Sequence, residues 1–249
     1  MQKQSPQVPK SISELGILPP PFEWIYVPAG EISLTHSTYK ISEIIQTYVE
    51  AFYIAKYPIT NQQYSIYVEE TGQEPRSNLW KKPHFNQDLH PVVEIRWYEA
   101  MLFCKWLSNQ LPYNVTLPTD AQWQRAAQGD DGRKYPWGNQ WDSSFCNSSD
   151  SGIGHTTPVD FYPQGASPYG VMDMLGNVFE WCITDADTGL NNYNIDEELY
   201  GSGEYLFNQL RVAKGFAYHS SSFGISVIEY GGSSLFDPYS TGIRLVYMP

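Results

Sequence analysis

Along the first half of the chain the apolar positions change from an alternating to a helical period, and turn or cap residues mark each change. Phe22-Glu-Trp-Ile-Tyr-Val-Pro-Ala-Gly30 is short, aromatic and β-branched and closes on a turn, which predicts a strand. A second strand is expected over Tyr48–Tyr57, where Pro58 stops it. Thr60-Asn-Gln-Gln63 forms a capping box, in which the Thr60 hydroxyl accepts an early helix N–H while Gln63 reaches back. Tyr64, Tyr67 and Val68 then fall on one face, and Gly72 suits the C-terminal stop. After the extended Pro91–Ile95, residues Trp97, Met101, Cys104, Trp106 and Leu107 recur at helical spacing and predict a second helix. Thr119 and Gln122 make another capping box, opening a third helix through Trp123, Ala126 and Ala127 to Gly129.

Beyond Gly129 long periodic stretches disappear. Short strands are expected at Val171–Met174, Phe179–Cys182, Arg211–Lys214 and Ile243–Tyr247, and residues 184–207, rich in Asn, Asp, Glu and Gly, read as an inserted surface loop. Residues 1–21 are polar and proline-bearing and read as a tail or linker, leaving one α+β domain over 22–249 with no internal repeat.

Charge narrows the function classes. Fifteen Lys and Arg against 27 Asp and Glu give a net charge of −12, which argues against nucleic acid as a partner and sits easily with metal cations. No apolar run approaches the roughly 20 residues that span a bilayer. The start lacks the apolar core of a secretory signal, so neither a membrane partner nor export is expected and the expected location is cytoplasmic. Cys104, Cys146 and Cys182 are far apart with no CxxC pair, against a disulfide framework or a Cys-rich zinc site. His36, His84, His90, His155 and His219 show no HxxxH or HxE pairing and read as separate loop residues. With 8 Trp, 19 Tyr and 11 Phe, the chain has the aromatic content to hold a loop-rich fold by ring packing.

Four blocks stand in a fixed order: Pro91-Val-Val-Glu-Ile-Arg-Trp-Tyr-Glu-Ala-Met-Leu-Phe-Cys-Lys-Trp-Leu107, Leu117-Pro-Thr-Asp-Ala-Gln-Trp-Gln-Arg-Ala-Ala127, Tyr135-Pro-Trp-Gly-Asn139 and Tyr169-Gly-Val-Met-Asp-Met-Leu-Gly-Asn-Val-Phe-Glu-Trp181. Together with Val27-Pro-Ala-Gly30 and Pro58–Tyr64, they resemble the formylglycine-generating enzyme, or sulfatase-modifying factor, family over about residues 22–249. The resemblance implies a variant of the C-type lectin fold, α+β and low in regular secondary structure. It places Trp97, Trp106, Trp123, Trp137 and Trp181 as anchors whose indole N–H groups pin nearby loops, and Arg244 as a residue that closes the fold.

Catalytic members of that family use a C-terminal cysteine pair that binds copper and activates oxygen, downstream of a segment of the form Arg-Val-x-Arg-Gly-Gly-Ser-Trp/Tyr. The matching segment here is Arg211-Val-Ala-Lys-Gly-Phe-Ala-Tyr218, and the cysteine positions fall at about Ser220 and Ile225. A hydroxyl and an alkyl group cannot replace two thiolates on Cu(I). A branch of the family that makes sulfoxides with non-haem iron keeps its iron histidines largely on a companion domain that this chain has no room for.

Calcium is the metal that the resemblance favours as a structural cofactor. It implies side-chain ligands at Asp173 and Glu180 with carbonyls at Gly176 and Val178, and a second site through Asn147, Ser148 and Asp150; oxygen ligands suit this hard cation. Relatives of the fold also serve as variable proteins of diversity-generating retroelements, where adenine mutation never yields Lys, Gln, Glu, Met or Trp. Between Gly215 and Thr241 only Glu229 belongs to that set. The same segment is rich in Tyr, Ser, Gly and Phe, as binding surfaces of antibodies are. The expected function is therefore a non-catalytic, calcium-stabilised, bacterial-type module. It would bind a protein or small-molecule ligand through Phe216, Tyr218, His219, Ser220, Ser222, Phe223, Tyr230, Phe236 and Tyr239, and could work within a larger assembly. A diversified ligand-display protein and an oxidoreductase with an unrecognised site are the alternatives.

Overall fold

The computed structural model describes residues 14–38, 41–75, 78–191, 193, 210–221, 226–227 and 240–249. Its first strands are β1 (Trp24–Val27), β2 (Gly30–Thr38), β3 (Ile41–Val49) and β4 (Phe52–Ala55), followed by helix α1 (Asn61–Thr71). Helices α2 (Trp97–Ser108) and α3 (Asp120–Gln128) come next, then strands β5 (Phe179–Asp185), β6 (Arg211–Lys214), β7 (Thr241–Gly242) and β8 (Val246–Tyr247). Three small sheets result, in the orders β1-β4-β8, β2-β3 and β6-β5-β7, and all pairings are antiparallel except β5 with β7. This is the low-content α+β architecture that the sequence led us to expect.

Local signals hold where they are strong. Thr60 and Thr119 cap α1 and α3 with both arms of their capping boxes made, and Gly72 ends α1 in the left-handed region. The chain differs from expectation where distant partners decide. Val171–Met174 is not a strand: Asp173 has φ 56 and the Met172 carbonyl turns inward to accept a bond from Arg244. Of the expected strand over Ile243–Tyr247 only Val246–Tyr247 forms, as β8; β7 lies ahead of it at Thr241–Gly242, and Arg244 between the two is drawn into the interior. The packed fold also reaches back to Leu18, ahead of Phe22: Leu18 is buried in the core, and Gln63 Nε2 donates to the carbonyls of Pro19 and Pro21.

Two apolar clusters fill the interior. One lies under α1 and α2, around Tyr64, Phe103, Leu107 and Trp181; the other lies between α3 and β4, around Phe52, Trp123, Val171 and Cys182. Phe216 packs, half-buried, against both. Between them sits a polar centre where β5, β6, α3 and the segment after β7 converge.

Candidate functional site

The polar centre is built on Arg244. Its guanidinium donates to Glu180 Oε2 at 2.7 Å, to Glu180 Oε1 at 2.7 Å, and to the carbonyls of Ala55, Lys56 and Met172 at 2.8–2.9 Å. Trp123 Nε1 donates to Glu180 Oε2 at 2.6 Å. Arg244 and Glu180 are both wholly buried, so the planar fork and its carboxylate satisfy each other where water cannot. Of the other indoles, Trp137 and Trp181 anchor loops, donating to Gln140 O and Ile95 O, whereas Trp97 donates to Cys182 O within β5 and Trp106 to the Glu70 carboxylate on α1.

This arrangement places Glu180 otherwise than the resemblance implied. Its Oε2 accepts from Arg244 and Trp123 and its Oε1 from Arg244, so here the carboxylate serves an ion pair. Asp173 differs. It is buried, its Oδ2 accepts from Asn177 Nδ2 at 2.7 Å, and its Oδ1 accepts no hydrogen bond. Burial pushes its carboxyl up to about 7, against the lowering effects of the Asn177 bond and Arg244. An orphaned buried acceptor of this kind suits a hard cation.

The two loops expected to hold calcium do meet. Asn177 N donates to Asn147 O at 2.8 Å, and Asn147 Nδ2 donates to Asn177 Oδ1 at 3.1 Å. Gly176 is required there, since a Cβ would come within 2.5 Å of the Asn147 carbonyl. Ser148 is buried, whereas Asp150 lies exposed at the end of the same loop. The Gly176 carbonyl accepts from Val178 N. Among the described residues no three His, Cys, Asp or Glu side chains converge as a metal cage.

The candidate binding face lies where the chain leaves β6. Gly215, at φ 97, lets the backbone pass the Trp123 ring, and its carbonyl accepts from Gly176 N. Phe216 follows at φ 62, a left-handed conformation that costs a bulky residue about 1–3 kcal/mol. A tight turn comes next: Ala217 N donates to Ser220 Oγ and Ser220 N returns to Ala217 O. Ser149 N and Tyr218 N dock this turn onto Ser220 O and Asn177 O respectively, so the face is mounted on the same loops as Asp173. Tyr218 packs on Phe85 at 5.5 Å and on the edge of His219 at 4.9 Å, and His219 Nε2 pairs with Ser240 Oγ. Ser222, Phe223, Tyr230, Phe236 and Tyr239 lie outside the described residues.

Beside Tyr218 the structure gathers three histidines that no spacing in the chain groups. His84 stacks on His155 at 4.9 Å, and His90 lies parallel to His155 at 6.4 Å. His155 Nδ1 pairs with the Thr156 carbonyl, which makes that nitrogen the protonated one. His90 Nδ1 pairs with Thr156 Oγ1, and burial, then His155, lower its pKa to about 4. Near-parallel rings send their in-plane lone pairs alongside one another rather than toward a common point. No local pattern announces this cluster: His84 and His90 come from the loop before α2, His155 from a turn far along the chain.

The thiols lie elsewhere. Cys104, Cys146 and Cys182 are buried and free, and burial raises each, Cys146 to about 12, so none is a thiolate at neutral pH. An open cleft of about 730 Å³ runs between Met101 on α2, Tyr113, Tyr193 and Tyr247, but among the described residues no carboxylate or histidine lines it. No helix among the described residues is long and apolar enough to cross a membrane.

Comparison with known proteins bears on this geometry. The model of the sulfatase-modifying factor enzyme 1-like domain matches residues 19–248. Uncharacterized protein YfmG of Bacillus subtilis is 28% identical over 213 residues, which cover 70% of this chain and 42% of that protein. Serine/threonine-protein kinase pkn1 of Chlamydia caviae is 33% identical over 208 residues, covering 75% of this chain and 28% of the kinase. Formylglycine-generating enzyme of Bos taurus is 22% identical over 260 residues, covering 80% and 66%. The chain thus spans less than half the length of the first two relatives. Among solved structures, PvdO from Pseudomonas aeruginosa superposes with a TM-score of 0.70 at 16% identity, covering 91% of this chain and 94% of PvdO. Treponema denticola variable protein 1 superposes with a TM-score of 0.69 at 20% identity, covering 92% and 95%. At those identities the likeness establishes the fold.

Proposed function

Because the chain belongs to the sulfatase-modifying factor enzyme 1-like family, we propose that it is a binding member of that family and not a cysteine–copper oxidase. The observation that carries this reading is the exchange at one place in the fold. Where the oxidase needs a thiolate, Ser220 spends its hydroxyl on the Ala217 N–H, and all three thiols of the chain are buried elsewhere. The same turn presents Tyr218 and His219, backed by Phe85, His84 and His155. Phe216 supports the reading too. Its left-handed backbone stands where the resemblance has glycine, a strained choice of the kind found at functional sites.

The ligand class is a protein or small molecule with aromatic or hydroxyl-bearing surface. The greater length of the relatives supports use as one module of a larger assembly. A second reading, a diversified ligand-display protein, draws support from residues 215–241, where Glu229 is the one residue that adenine mutation cannot produce. Structural calcium fits at Asp173, whose Oδ1 is an orphaned buried acceptor, with the Gly176 and Val178 carbonyls of the same loop, while Glu180 is engaged by Arg244.

Two measurements on the purified chain test the binding reading. Selection from a random-peptide display library is expected to yield clones whose binding is lost in Tyr218→Ser while that variant keeps its melting temperature. Clones indifferent to Tyr218 would count against this face. Conversion of a cysteine-bearing peptide to an aldehyde, with stoichiometric copper and oxygen, would overturn the reading altogether.

A further inference from the structure

The polar centre has a second buried ion pair. Lys214 Nζ lies 3.0 Å from Asp120 Oδ1; Lys214 is wholly buried and Asp120 is 2% exposed. Neither backbone is free to shift. Asp120 opens α3 behind the Thr119–Gln122 capping box, and its N–H donates to Thr184 Oγ1 at 2.9 Å. Lys214 ends β6 directly opposite Glu180, in the register of the β5–β6 pair. Cross-strand partners project to the same side of a sheet, so Glu180 lies on this side too, where it is matched to Arg244 by two bonds. Asp120 is the carboxylate that the structure sets against the Lys214 ammonium.

The surroundings are dry. The Trp123 ring stands 5.9 Å from the Lys214 ammonium, and Cys182, wholly buried, lies within electrostatic reach of both partners. Asp120 Oδ1 accepts no hydrogen bond, so the ammonium approaches it off the hydrogen-bonding direction.

We propose that Lys214 and Asp120 condense to an intramolecular isopeptide bond that ties the first residue of α3 to the last residue of β6. In a medium that solvates charge poorly, transfer of one proton from ammonium to carboxylate yields a neutral amine and a neutral acid. The amine Nζ attacks Asp120 Cγ and forms the C–N bond. The tetrahedral centre then collapses with cleavage of the C–OH bond, and the hydroxyl leaves as water with one of the two remaining Nζ protons. The amide keeps the other proton. One amine and one carboxylic acid give one amide and one water, and nothing is oxidised or reduced.

Two features favour the product. It removes two charges from an interior where each carries a desolvation penalty, and two fixed backbones hold the reacting groups in contact. The inference does not depend on the binding reading.

Mass spectrometry of the unmodified chain decides it without any variant. The intact protein is expected to be lighter than its sequence by one water. A tryptic digest is expected to contain a branched species joining residues 106–125 to residues 212–244, because trypsin cannot cut after an acylated Lys214. Lys214→Arg keeps the charge but cannot condense, and it is expected to show the full mass and no branch. Separate peptides 106–125, 212–214 and 215–244 at full mass would overturn the proposal. So would loss of water confined to peptide 106–125, the mark of a succinimide.

Discussion

Arg244 and Tyr218 belong to regions mounted on the same loops yet built on opposite terms. Around Arg244 each charge has a named partner: five hydrogen bonds from one guanidinium, two of them to Glu180, with Trp123 completing the carboxylate. Around Tyr218 the backbone is pinned by Asn177 and Ser149, but the side chains meet mostly as rings, and His219 reaches solvent. One region converts residues into a rigid frame; the other uses that frame to present side chains. The family blocks Leu117–Ala127 and Tyr169–Trp181 supply the first, and the departure from the family pattern at Phe216 and Ala217 falls in the second.

The comparison breaks most directly at Arg244. Arg244→Met removes five donors and leaves Glu180 charged in a dry interior, an uncompensated burial that costs about 3–5 kcal/mol. Urea denaturation should show either that loss or a chain that does not fold. A midpoint close to the parent would mean that Glu180 has another cation, and would return it to the candidate metal ligands. Next in size is Asn177, whose side chain bonds Asn147, Thr157 and Asp173. Its φ of 64 suits glycine, so Asn177→Gly deletes the side-chain bonds without adding backbone strain. The expected loss is about 3 kcal/mol, given roughly 1–3 kcal/mol for a buried group left without its partner.

How far these regions could be read from the chain differs for a physical reason. The caps at Thr60 and Thr119 are decided within three residues, and both helices begin where the sequence placed them. The indole anchors were legible as a class because a buried N–H needs an acceptor. The Glu180–Arg244 pair spans 64 residues, and no local pattern says whether a buried glutamate will meet a cation or a guanidinium. The β2 strand alternates Glu31-Ile-Ser-Leu-Thr35, but two apolar positions are too short a run to stand out before its partner β3 is known. The histidine cluster was illegible for the same reason, since the loop before α2 and the turn at His155 must first be placed together.

That cluster gives an intermediate effect with a definite sign. His90 has a pKa of about 4 in the fold, against an ordinary value near 6.5, because burial and then His155 disfavour its charge. Between those values the unfolded chain binds the proton and the folded chain does not. The contribution of His90 is therefore present above about pH 6.5 and is lost as pH falls toward 4. His90→Gln keeps a polar group without the titration, so its stability should fall less on acidification from pH 7 to 4.5, by about 1–3 kcal/mol. Parallel urea curves for parent and variant at every pH would mean that His90 is not held neutral by its surroundings.

The smallest expected effect sharpens the comparison most. Tyr218 packs against Phe85 and the edge of His219, but its backbone bond to Asn177 O does not involve the ring. Tyr218→Ser should therefore lower the unfolding free energy measured in urea by about 1 kcal/mol, as the loss of half-buried ring contacts would. Phe85 makes a useful partner mutation, since Asn61 Nδ2 holds the Phe85 carbonyl whatever the side chain, and Phe85→Ser should be similarly mild. If the two rings serve only packing, the double variant loses no more than the sum of the singles, less their shared contact. If they form a face kept for a ligand, both singles leave the frame intact and abolish binding together. A loss of several kcal/mol from Tyr218→Ser would instead join this turn to the frame around Arg244, and the division between scaffold and displayed surface would fail at its clearest point.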